Sequence, residues 1–396
     1  MTRYHWDLQR IKTKINKLEE KIANLEETSN DKENEYAIDY LIRTKNFYHY
    51  LLSCYNISKI SNFVYDSPFY ASPLEEAKTM DEEQEEKKLD TFLSNPYYIP
   101  KSLITVSTNG LKYADGYWDI DGDSPSLYID NQELLEVFDD FIHEMGCPAL
   151  YHRIQQERSN IELNIQKRPK YFYSTYGCCY GDSLFNDKYI NLFRDNTIQD
   201  ISTLAHEFFH AFYSNLSFRY TYHNELCYFS ELEGMFAQVL VAEYYRKLGQ
   251  EENAYFIDVI ELDDYILRNF QLNLGFLLAK KDRKITLNEL NRDLSKKNIQ
   301  ITFTDKKKAF EYLNESASKL LIHNLSYLAS LDLFELYLQD REKAFVKLEK
   351  IKELDYHRHL IRFSKENGFT FMEKDCPSLQ KHLKRLEKSK KDMSLS

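Results

Sequence analysis

Two histidines one helical turn apart, with a glutamate beside the first, are the residues of this chain best suited to chemistry: His206, Glu207 and His210. No Pro or Gly interrupts the segment around them, so one helix carries it to about Leu216 and projects both imidazoles from one face. His-Glu-x-x-His is the pattern of two zinc ligands with a carboxylate placed as general base. With 11 His and 63 acidic residues in 396 positions, chance supplies at most about 0.05 such motifs per chain. The bland alternative is a helix with two hydrogen-bonded core histidines. Against it stand Thr197-Ile198-Gln199-Asp200, which read as a capping box at the helix start, and a set of carboxylates just downstream. A zinc site is expected, with one ion per chain.

A catalytic zinc takes three protein ligands and keeps a fourth position open. Glu225, Glu231, Glu233 and Glu243 all lie within reach along the chain. Two His and one Glu would make a hydrolytic set. Glu231 and Glu233 point about 200° apart on a helix, so only one can face the metal, and spacing does not choose between them. His223 is a further candidate, although a loop histidine is more often simply solvated. A purely structural zinc would want four Cys or His ligands. Only Cys227 and His223 are near enough to complete such a set.

Thr203-Leu-Ala-His206-Glu207-Phe-Phe-His210-Ala211, preceded by Lys188-Tyr-Ile-Asn-Leu-Phe193, resembles the zinc peptidase family of thimet oligopeptidase and oligoendopeptidase F. The resemblance runs over about residues 167 to 245 and more weakly to about 370. It implies that Glu231, heading Glu231-Leu-Glu-Gly-Met-Phe236-Ala-Gln238, is the third ligand. It also implies that His323 and Tyr327 line a catalytic groove. Phe209 stands where the family has Gly, and Gln238 where it has a later Glu. Leu331 and Leu333 occupy positions where further tyrosines are usual.

The implied activity is a zinc-dependent metalloendopeptidase acting on short peptides. Zinc lowers the pKa of an attacking water to around 7 and polarises the peptide carbonyl. Glu207 takes the water proton and returns it to the leaving nitrogen. The rival reading is a weak or inactive peptide-binding homologue that retains the zinc site, motivated by Phe209 and the thinned tyrosines.

These residues need elements to position them. The expected fold is mainly α and zincin-like, with a small antiparallel β-sheet beside the His-Glu-x-x-His helix and a groove between helical lobes. Tyr171–Tyr176 and Tyr189–Phe193 are β-rich segments expected to pair as that sheet; the resemblance implies that its edge holds extended substrate by strand addition. Leu103–Ser107 reads as a strand. Residues 133–145 and 150–166 read as helices, and 253–365 as almost wholly helical. Leu8, Ile11, Ile15, Leu18, Ile22 and Leu25 recur at spacings of three and four, a short coiled-coil seam. With the amphipathic stretch from Glu35 to Tyr55 it makes a helical hairpin, expected to pack on its own chain. The domain plan is residues 1–60 for the hairpin, 61–380 for the catalytic domain, and 381–396 for a charged tail with a frayed end.

Hydrophobic content of 43% with 10 Gly and 8 Pro indicates a compact helical globule. A net charge of −11 leaves no broad basic face to neutralise phosphates, which argues against a nucleic-acid partner. No apolar run approaches the ~20 residues of a membrane span. The opening Met1–Trp6 does not read as a signal peptide. Six cysteines form no CxxC pair, and the adjacent Cys178 and Cys179 read as free thiols, so a reducing cytoplasm is expected. Asp119–Asp123 lacks the flanking helix and last Glu of a calcium loop and reads as a turn.

Overall fold

The computed structural model describes residues 7–28, 32–57, 82–93, 101–109, 125–167, 177–182, 187–213, 229–280, 285–296, 301–353, 364, 366–371 and 373–395. In chain order the helices are α1 (Leu8–Thr28), α2 (Lys32–Ile57), α3 (Glu82–Leu93), α4 (Lys101–Asn109), α5 (Asn131–Met145) and α6 (Pro148–Glu157). Three strands follow: β1 (Ile161–Lys167), β2 (Gly177–Asp182) and β3 (Asp187–Arg194). The rest is helical: α7 (Gln199–Tyr213), α8 (Leu232–Lys247), α9 (Glu251–Lys280), α10 (Leu287–Ser295), α11 (Lys306–Glu311), α12 (Ala317–Gln339), α13 (Arg341–Glu353) and α14 (Pro377–Leu395). The chain divides into two compact units. One comprises Met1–Glu76, Tyr128–Leu135 and Pro148–His223; the other comprises Ala77–Leu127, Glu136–Cys147 and Asn224–Ser396.

In the first unit the seam residues Ile11, Ile15, Leu18 and Ile22 are buried with Leu41, Tyr48, Leu51 and Tyr189 in one apolar cluster. The α1–α2 hairpin therefore packs on β3 of its own chain rather than standing as a separate module. Polar ties fix its register. Arg10 Nη1 donates to the buried Glu162 at 2.8 Å, and Lys14 Nζ donates to the Tyr189 hydroxyl at 2.7 Å. The Lys14 ammonium also lies 5.4 Å and 5.2 Å from the Tyr48 and Tyr189 ring centres, a cation–π pairing that offsets its burial.

The sheet is mixed, in the order β1-β3-β2. β2 pairs antiparallel with β3, but β1 runs parallel to β3, with Ile161 opposite Lys188 and Lys167 opposite Arg194. An all-antiparallel sheet is thus corrected, and so is the helix expected over 150–166. The helix ends at Glu157 and a 3₁₀ turn, Arg158–Asn160, leads into β1. Ile161-Glu-Leu-Asn-Ile165 alternates with period two, as a strand does, and its polar members are buried with partners. Asn164 Nδ2 donates to Asn191 Oδ1 at 2.7 Å, and Gln166 Nε2 to the same oxygen at 3.0 Å. Residues 171–176, expected as a strand, lie outside the described residues, as do His223, Glu225, Cys227 and Asp119–Asp123.

In the second unit α8, α9 and α12 pack on one another, with α4, α10, α13 and α14 against them. Leu103–Ser107, expected as a strand, is helical within α4. Packing overrides the β-branched composition there: Ser107 Oγ donates to Asn269 at 2.6 Å, and Tyr265 donates to the Ser107 carbonyl at 2.8 Å. The charged tail is also corrected, since residues 381–395 are part of α14, with Leu383 and Leu386 buried. No helix among the described residues is long and apolar enough to cross a membrane.

Candidate metal centre

The end of β3 and the start of α7 are joined by a buried ion pair. Arg194 Nε donates to Asp200 Oδ2 at 3.0 Å, with 7% and 1% of the side chains exposed. Asp200 also accepts from the backbone of Asp195 at 3.0 Å and Asn196 at 3.1 Å. Arg194 turns its other nitrogens to Asn131 Oδ1 at 2.9 Å and the Ile129 carbonyl at 2.8 Å. Burial raises the Asp200 pKa, and the Arg194 hydrogen bond and charge oppose that rise. The expected capping box is not what starts this helix, because the Thr197 hydroxyl is buried with no hydrogen-bond partner among the described residues. Asn196 takes a left-handed backbone, φ 57°, which Asn tolerates better than most residues. The turn then feeds the helix with Asp200 as its anchor.

On α7, His206 and His210 stand as their spacing requires. Their Nε2 atoms are 2.8 Å apart and their rings cross edge-on, with centroids 4.5 Å apart. Two neutral imidazole nitrogens this close must share a proton between a donor and an acceptor, or present both lone pairs to one cation. The second arrangement is the chemistry of a zinc pair. His210 is buried and His206 partly so.

Glu207 is buried on the same turn, and β2 passes directly over it. A Cβ built on Gly177 would lie 2.7 Å from Thr203 Cγ2, 2.9 Å from Glu207 Cγ and 3.1 Å from Glu207 Oε1. Only a residue without a side chain lets the strand backbone come so near the carboxylate. Gly177 was legible in the sequence only as a strand boundary. Phe209 is wholly buried, its ring 5.6 Å from that of Tyr213.

In the second unit Glu231 sits at the N-cap of α8, φ −106° and ψ 0°, with no side-chain cap hydrogen bond. Glu233, inside α8, is fully buried while Glu231, outside the helix at its N-cap, is partly exposed, so the two carboxylates have different surroundings. His323 and Tyr327 lie one turn apart on α12. His323 Nδ1 has no hydrogen-bond partner among the described residues. Burial, and then the Arg268 charge, push its pKa down to about 3, against the opposing pull of Glu231 and Glu315. Burial thus favours the neutral ring. Arg268, which no spacing pattern in the sequence singled out, feels Glu231 as well and bonds Asp264 at 3.0 Å. Tyr327 is 2% exposed, its ring tilted against that of Tyr265 with centroids 5.1 Å apart, and its hydroxyl has no hydrogen-bond partner among the described residues. Gln238, in the family's Glu position, donates to Glu261.

No protein-family model and no curated protein matches the sequence. Solved structures do match. One named as an oligoendopeptidase F aligns at a TM-score of 0.50 and 13% identity, over 77% of this chain and 60% of that one. Another so named, from Bacillus anthracis str. Ames, aligns at 0.50 and 14% identity, over 90% of this chain and 64% of that one. This chain therefore spans less than two thirds of either relative's length. The resemblance read from the His-Glu-x-x-His segment holds at the level of architecture: this chain has the oligoendopeptidase F fold.

Proposed function

We propose that the chain is a zinc metallopeptidase of the oligopeptidase type, cleaving peptide bonds in short peptides. The observation that carries this reading is the convergence of His206 and His210 Nε2 atoms at 2.8 Å on α7, with Glu207 buried on the same turn. His206, His210 and Glu231 each offer one donor atom, and the proposal assigns the metal to these three. When bound, zinc would acidify an attacking water and polarise the scissile carbonyl.

The chain's own residues supply the rest. Glu207 accepts the proton of the attacking water and passes it to the leaving nitrogen. Its carboxylate is confined between α7 and the Gly177 backbone, which restricts the directions from which it can act. β2 ends the sheet order β1-β3-β2, so its outer backbone groups are the place for an extended peptide to add as a further strand. His323 and Tyr327 are assigned as donors to the developing oxyanion, His323 through a neutral ring.

The test measures metal content and peptide-library cleavage by mass spectrometry. Wild type should carry about one zinc per chain, lost in the His206→Ala/His210→Ala double variant. Glu207→Gln should keep the metal and lose about 10²–10⁴-fold in turnover. A Gln variant as active as wild type removes the mechanism. A zinc-loaded wild type that cleaves nothing replaces peptidase activity with peptide capture.

A further inference from the structure

We propose that Asp332, far from Glu231 in sequence, is a positioning residue for that carboxylate. This rests on the reading that Glu231 ligates the metal. Asp332 is a buried carboxylate on α12 on which four donors converge. The backbone N–H of Thr370 donates at 2.6 Å and that of Phe371 at 2.8 Å. The Thr370 hydroxyl donates at 2.5 Å, and the Ser378 hydroxyl at the start of α14 donates as well. One side chain thus fixes the backbone of a short loop and the helix that follows it.

That loop presents two rings, and both meet Phe229. Phe369 stacks on it with centroids 6.1 Å apart and planes 20° from parallel. Phe371 meets it edge-on at 5.9 Å. All three rings are buried. Lys347 closes the outer side, its ammonium 4.0 Å from the Phe369 ring centre and 3.4 Å from the Gly368 carbonyl. Phe229 opens the turn that carries Glu231, with Leu232 N donating to the Phe229 carbonyl at 3.1 Å. Glu231 is the N-cap residue of α8, carried on the turn that Phe229 opens. Asp332 fixes 370–371, their flanking rings fix Phe229, and Phe229 fixes the backbone two residues before the ligand. Residues that orient a metal ligand from behind typically change metal affinity 10–100-fold when altered.

The experiment titrates apoprotein with Co2+ and Zn2+ in competition with a chelator, and records the visible absorption of bound Co2+. Asp332→Asn keeps the volume but offers its donors an amide NH2 at one position. It should weaken metal binding roughly 10–100-fold and alter the Co2+ spectrum. Phe229→Leu leaves Asp332 intact and should act in the same direction, which covers the case of an Asp332→Asn protein that does not fold. The control is Asn291→Ala, which cuts both hydrogen bonds, 2.9 Å each, that tie α10 to Phe303. It should lower the melting temperature and leave affinity and spectrum unchanged. Unchanged affinity and spectrum in a folded Asp332→Asn, or in Phe229→Leu where Asp332→Asn does not fold, overturns the inference alone. So does an equal loss of affinity in Asn291→Ala. A wild type that binds neither metal removes the zinc reading and this inference with it.

Discussion

At the scale of single residues, Tyr327 sharpens the question of what completes the site. Its hydroxyl is buried without a hydrogen-bond partner among the described residues, a condition that costs about 1–3 kcal/mol when nothing else satisfies the group. Its ring is held by Tyr265 and His382, so the hydroxyl's direction is set by packing. Tyr327→Phe removes one oxygen and almost no volume. The expected result is a fold as stable as wild type or more so, with kcat lower by about 10²-fold and KM little changed. Wild-type kcat with a higher melting temperature would make the hydroxyl a flaw of packing. His206, Glu207 and His210 were legible because one helical turn fixes their mutual geometry. Gly177 and Arg268 were not, because their roles depend on which distant segment packs against them.

At the scale of elements, α7 is aimed by the Arg194–Asp200 pair rather than by Thr197. The sequence suggested a side-chain cap three residues ahead of the acid. The carboxylate instead serves the backbone of residues 195 and 196 and a buried arginine. Asp200→Ala leaves that guanidinium buried and unpaired, which should cost about 3–5 kcal/mol. Urea denaturation would measure it, and a loss under about 1 kcal/mol would show that the pair does not anchor the helix. β1 escaped sequence reading for a related reason. Its polar positions Glu162 and Asn164 are buried, satisfied by Arg10 and Asn191, so no solvent face marks the alternation. α4 was misread because its Ile104-Thr105-Val106 run favours strands locally, and packing against α9 and α12 decides otherwise.

At the scale of the whole molecule, the helical class was legible from composition and the N-terminal hairpin from its apolar spacing, while the division into two units was not, because each gathers segments distant in sequence. Acid stability follows from a residue no motif marked. His382 is 2% exposed, its Nε2 without a hydrogen-bond partner among the described residues and 4.0 Å from Asp258. Burial pushes its pKa down to about 4, with Asp258 opposing and Arg385 and Arg246 assisting. The unfolded chain takes up this proton first, near pH 6.5, so the neutral ring's contribution is complete above that pH and is lost as pH falls towards 4. The loss is on the order of 3 kcal/mol. Urea midpoints at pH 7 and pH 4.5 should differ less for His382→Gln than for wild type; equal differences would remove His382 from the acid response. The Lys14–Tyr189 contact spans 175 residues. A chain synthesised at about 5–20 residues per second leaves Lys14 waiting roughly 10–35 s for Tyr189. During translation the hairpin is therefore exposed surface awaiting its partner, and the lysine that ends up beneath two tyrosine rings is, until then, the charge that keeps that surface wet.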